Sequence, residues 1–160
     1  MTIAVGDTIP DVEIKTMGPE GAPVAIRTVE ALGKGKVVLF AVPGAFTPGC
    51  SKIHLPGYVQ HGDELKAKGI DTIACIAVND AWVMDAWGRE QGVGDKIVML
   101  ADGAGEFTRA MGLENDLGGI GLGVRSKRYA MVLQDGVVQS LDIDTAGVDV
   151  SACEVVAAKL

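Results

Sequence analysis

The run Pro43-Gly44-Ala45-Phe46-Thr47-Pro48-Gly49-Cys50 sets a thiol at the end of a loop rich in turn-forming residues. The thiolate is the reactive form of cysteine, and at an ordinary pKa of about 8.5 only a few per cent is ionised at neutral pH. Such a thiol becomes a nucleophile when its surroundings favour the anion. The unpaired N–H groups and positive dipole end of a helix N-terminus do this, and a nearby arginine adds to it. Thr47 stands three residues earlier, where its hydroxyl can face the sulfur or a bound oxygen. Pro43 and Pro48 stiffen the loop, and Gly49 leads directly into Cys50. His54 lies one helical turn beyond Cys50, placed to tune the thiol. Cys50 and His54 supply two ligands where zinc takes four, so no metal site is expected.

Flanking elements must hold this loop in place. Lys36 to Val42 is a continuous, β-branched apolar run of strand length, which predicts a central strand buried on both faces. The stretch from about Cys50 to Lys68 has helical spacing, with a kink expected at Pro56. Cys50 therefore falls beyond the carboxyl end of a central strand, where open α/β sheets bind their ligands. Val12/Ile14 and Val24/Ile26 predict an edge hairpin. Ile70 to Val78 reads as a strand, Ala81 to about Gln91 as a helix capped by Asn79 or Asp80, Ile97 to Ala101 as a strand and Glu106 to Met111 as a short helix. Arg128–Leu133 and Val137–Asp142 form a hairpin through Asp135-Gly136, and a last helix spans Ser151–Leu160. The glycine-rich segment 118–123 follows no strand and lacks phosphate-loop spacing, so it is expected to be a loop. This order predicts an α/β architecture with a mixed central sheet flanked by helices.

A length of 160 residues fits one domain, 1–160, and 48% hydrophobic residues supply a core. The net charge of −7 disfavours nucleic acid and anionic membrane as partners. Cys50, Cys75 and Cys153 form no C-x-x-C pair and are too few for a secreted disulfide scaffold, so free thiols and a cytoplasmic location are expected. Phe46, Trp82, Met84 and Trp87 could line an apolar mouth or a dimer contact, or belong to the core.

The pattern Pro43-x-x-x-Thr47-x-x-Cys50 resembles the active-site motif of the peroxiredoxin family. Its extension PGAFTPGCSKIHLPGY resembles the type II, peroxiredoxin-5-like branch, above all its plant and bacterial members. The likeness runs through GIDTIACIAVNDAWVMDAWG, Met99-Leu100-Ala101-Asp102 and GLGVRSKRYAMVLQDG, from about residue 36 to 140. The resemblance implies a thioredoxin-like fold with an N-terminal β extension. It also implies a cofactor-free peroxidase that reduces hydrogen peroxide and organic hydroperoxides through a Cys50 sulfenic acid. Pro43, Thr47, Cys50 and Arg128 carry over as catalytic residues, with Thr47 and Arg128 expected to stabilise the developing negative charge. Arg125, in the same basic cluster, competes with Arg128 for that role. Three routes back to the thiol stay open. One is an external thiol, glutathione with glutaredoxin or thioredoxin. The others are Cys75, matching a resolving position of plant and bacterial members, and Cys153, near the resolving position of mammalian-type members. A monomer or a homodimer is compatible. The alternative function is a redox sensor in which Cys50 oxidation switches an interface, and the missing C-x-x-C argues against a thiol-disulfide oxidoreductase.

Overall fold

The computed structural model describes residues 1–160. The apolar run predicted to be central forms β3 (Lys36–Ala41), whose residues from Val37 onward are fully buried. It pairs in parallel with β4 (Thr72–Ala77) and antiparallel with β8 (Arg128–Gln134). The strand's period of two splits its side chains between two cores. Val38, Phe40 and Val42 enter one, and Val37, Leu39 and Ala41 the other.

Four further strands complete a seven-stranded mixed sheet. These are β1 (Glu13–Met17), β2 (Pro23–Arg27), β5 (Val98–Ala101) and β9 (Val137–Asp144), and the order is β2-β1-β5-β4-β3-β8-β9. The expected hairpin of β1 and β2 lies at one edge. The β8–β9 hairpin lies at the other, its turn made by Asp135 (φ 50°) and Gly136 (φ 81°), the two left-handed residues that such a turn requires.

The Phe40 face is covered by α2 (Leu55–Ala67), α3 (Ala81–Gln91) and α5 (Cys153–Ala158), through Leu55, Tyr58, Met84, Trp87 and Val156. The Leu39 face is covered by α1 (Thr28–Leu32) and α4 (Glu106–Ala110), through Leu32 and Phe107. Asp80 caps α3 by accepting the Val83 N–H at 2.8 Å.

Three features differ from the sequence reading. Thr28–Leu32 is helical, a single turn begun by the Arg27 N–H donating to Glu30 Oε1 at 3.2 Å and held by burial of Thr28 and Leu32. Pro56 does not kink a continuous helix. The chain is helical from Pro48, then widens into a π-helical turn, Cys50–His54, in which the Leu55 N–H reaches the Cys50 carbonyl. Pro56 follows in the first turn of α2, where its missing N–H and ring are tolerated. The glycine-rich 118–123 segment is the tip of a separate hairpin, β6 (Glu114–Leu117) with β7 (Gly123–Ser126), closed by a short 3₁₀ turn.

Candidate active site

Strand register brings the site together. Ala41, the last residue of β3, pairs with Tyr129, so the antiparallel β8 must begin, at Arg128, where β3 ends. Cys50 lies beyond that same end and is only 1% exposed. Across 78 positions of sequence, Arg128 Nη2 donates to Cys50 Sγ at 3.2 Å. Its other terminal nitrogen, Nη1, lies 2.9 Å from His54 Nδ1.

The second ring nitrogen of His54, Nε2, is 3.1 Å from the Ser151 carbonyl. A guanidinium only donates and a carbonyl only accepts, so the imidazole between them is neutral, protonated on Nε2 and accepting on Nδ1. Burial and, next, the charge of Arg128 push its pKa down to about 4. The ring packs against Phe40 at 5.0 Å, and Phe40 stacks on Tyr58 at 3.9 Å. His54 thus contacts the guanidinium that donates to Cys50 rather than the sulfur itself.

Thr47 donates its hydroxyl proton to the Gly44 carbonyl at 2.6 Å. With its proton held there, the hydroxyl oxygen has lone pairs free to accept. The loop is fastened from the β4–α3 connection, where the Asn79 side-chain oxygen accepts the Ala45 N–H at 2.9 Å. Phe46 takes a positive φ of 65° and stays 48% exposed, 6.5 Å from the buried Trp87 ring. Trp87 donates to Ser51 Oγ at 2.9 Å, Met84 is core, and Trp82 is exposed. Only Phe46 of this group stands beside the loop with its surface open.

The two arginines separate cleanly. Arg125 belongs to β7, donates to the Leu122 carbonyl at 2.8 Å and packs over the loop, its Nη1 3.3 Å from where a Gly44 Cβ would lie. Gly49 matters for space, because a Cβ there would stand 3.2 Å from Arg128 Nη2. Pro43 lines a small polar cavity with Lys127, Arg128 and Asp144.

Cys75 is fully buried in β4 beside Phe40, and burial first, then the neighbouring Cys50, raises its pKa well above the ordinary thiol value. Cys153 begins α5, also buried, and burial pushes it up to about 12. Neither favours the thiolate. Ser151, Tyr58 and Asn79 escaped the sequence reading, since these contacts cross 34 to 97 positions.

The family model described as Redoxin matches residues 4–155. Peroxiredoxin-2B of Arabidopsis thaliana is 46% identical over 146 residues, covering 91% of this chain and 90% of the relative. The chain belongs to the redoxin family, in its type II peroxiredoxin branch. The chloroplastic peroxiredoxin-2E of the same plant is 50% identical over 149 residues, 91% of this chain, which spans 64% of that relative's length. Among solved structures, reduced Prx3 of Vibrio vulnificus in complex with hydrogen peroxide is 48% identical with a TM-score of 0.93, covering 99% of both chains. Peroxiredoxins are thiol peroxidases, and the thioredoxin-like architecture of that family is the one built here around Cys50. No helix of this peroxiredoxin is long and apolar enough to cross a membrane.

Proposed function

We propose that this chain is a thiol-dependent peroxidase that reduces hydrogen peroxide and organic hydroperoxides at Cys50. The observation that carries the reading is the 3.2 Å bond from Arg128 Nη2 to Cys50 Sγ, with Thr47 in the adjoining turn. A cation donating to sulfur favours the thiolate. That sulfur attacks the terminal oxygen of R–O–OH, so an S–O bond forms as the O–O bond breaks. The products are the Cys50 sulfenic acid and an alkoxide, or hydroxide, that takes up a proton. Arg128 meets the negative charge as it passes from sulfur to the leaving oxygen, and Thr47 accepts the hydrogen bond of the peroxide O–H. Pro43 and the buried surround limit water. The hydrogen-peroxide complex of the Vibrio vulnificus relative supports the substrate class.

An external thiol restores the enzyme in this reading. It attacks the sulfenic sulfur, releasing water, and a second thiol, from glutathione with glutaredoxin or from thioredoxin, resolves the mixed disulfide. Burial of Cys75 and Cys153 favours this route over an internal disulfide. The three free cysteines fit a reducing compartment, cytoplasmic or, as in the Arabidopsis relative, chloroplastic. Exposed Phe46 and Trp82 are compatible with a homodimer as well as a monomer.

Steady-state peroxide consumption by the wild type and by Cys50→Ser, Cys75→Ser and Cys153→Ser, with each reductant system, tests the proposal. Cys50→Ser loses all turnover, while the other two keep the thiol-oxidising step. Wild-type turnover by Cys50→Ser would overturn the assignment. Stoichiometric oxidation of Cys50 without turnover in either system would favour the redox sensor instead.

A further inference from the structure

Asp144 ends β9 and pairs with Arg128 in the β8–β9 ladder, yet its carboxylate makes no ion pair with that guanidinium. It accepts instead from the segment that follows. The donors are the backbone N–H groups of Asp149 (3.1 Å), Val150 (2.8 Å) and Ser151 (3.2 Å), and the Ser151 hydroxyl. One carboxylate thereby closes the loop 145–151 upon itself. Ser151 is fully buried, and its carbonyl receives both His54 Nε2, at 3.1 Å, and the Tyr58 hydroxyl, at 2.7 Å. The loop also touches the active-site turn elsewhere, with Val148 3.9 Å from where a Gly49 Cβ would stand.

We propose that Asp144 is a positioning residue for the peroxide step. By clamping the loop it aims the Ser151 carbonyl at His54, fixes the Nε2–H tautomer, and so turns Arg128 onto the Cys50 sulfur. The chain of contacts has one consistent polarity. Asp144 only accepts, the Ser151 carbonyl only accepts, and Arg128 only donates, so the imidazole is the single member able to choose. The other tautomer would set an N–H against the Arg128 N–H and leave the Ser151 carbonyl with Tyr58 alone. Remote residues that fix the orientation of a reacting group in this way change the rate without touching substrate. The inference rests on the peroxidase reading of Cys50.

The test is nitrogen NMR of the imidazoles combined with single-turnover peroxide kinetics. The chain has two histidines, and the half-exposed His61 gives a reference signal for the buried His54. In the wild type His54 carries its proton on Nε2. Asp144→Ala yields a mixture of tautomers and slows Cys50 oxidation by roughly tenfold. Asp144→Asn keeps an acceptor oxygen and falls between the two, which preserves the test if the alanine variant does not fold. Asp149→Asn removes a side-chain charge from the same loop while keeping the backbone N–H that donates to Asp144, and behaves as wild type. An unchanged His54 tautomer in folded Asp144 variants overturns the proposal, as does a changed tautomer with an unchanged peroxide rate. An equal slowing by Asp149→Asn overturns it too, since charge alone would then account for the effect. If the wild type consumes no peroxide, the peroxidase reading fails, while the tautomer comparison still decides whether Asp144 governs His54.

Discussion

Arg128 faces two acceptors at once, Cys50 Sγ through Nη2 and His54 Nδ1 through Nη1. Its planar fork suits that geometry, whereas a lysine ammonium offers only a point charge. Gly49→Ala tests how finely the fork is set. Gly49 has an ordinary helical φ of −63°, so alanine costs no backbone strain, but the new Cβ meets Nη2 at 3.2 Å. The guanidinium must shift by a few tenths of an ångström. Stopped-flow oxidation of Cys50 should slow by about three- to tenfold with thermal stability little changed. His54 supplies a pH-dependent term. Its pKa is depressed from 6.5 to about 4 in the folded chain, so the unfolded state takes up a proton first as pH falls. The stability due to neutral His54 is fully present above about pH 6.5 and is lost as pH falls toward 4, amounting to about 3 kcal/mol. His54→Gln keeps one acceptor and one donor without titrating. Urea unfolding at about pH 7 and about pH 4.5 should show a smaller acid loss for this variant than for the wild type.

At the scale of elements, the thiol and its arginine meet because β3 and β8 run in opposite directions and share one end. The β4–α3 connection joins them there. Asn79 holds the Ala45 N–H, and the adjacent Asp80 caps α3. Asp80→Ala leaves the first turn of α3 one acceptor short. It should cost about 1 kcal/mol and lower the melting temperature by about 2–4 °C in calorimetry, with peroxide kinetics little altered. The β3 strand, the Asp80 cap and the Asp-Gly turn were legible in sequence because their signals are local. The β6–β7 hairpin was not, since its strands, ENDL and GVRS, carry no apolar alternation and their mutual pairing sustains them. The π-helical turn likewise left no mark beyond Pro56.

Across the whole molecule, the three thiols occupy one core yet differ in how much structure must open to expose them. Cys75 sits in β4, flanked by β3 and β5, so reaching it requires the centre of the sheet to come apart. Cys153 begins a six-residue helix near the chain end, which can open locally. Thiol labelling in rising sub-denaturing urea should modify Cys153 well before Cys75, and Cys75 only with global unfolding. Simultaneous labelling would show that α5 does not open separately.

Residue order alone marked Cys50 as a candidate nucleophile, with Pro43 and Thr47 in its loop, because the signal of a strand–turn–helix thiol lies within eight consecutive residues. Arg128 was reached through a family pattern, and its contact with sulfur exists only through strand register. The neutral His54 tautomer, set between Arg128 and the Ser151 carbonyl, was decided by tertiary structure alone. Hydrogen-bond polarity depends on which groups folding sets face to face, and those groups lie up to 97 positions apart.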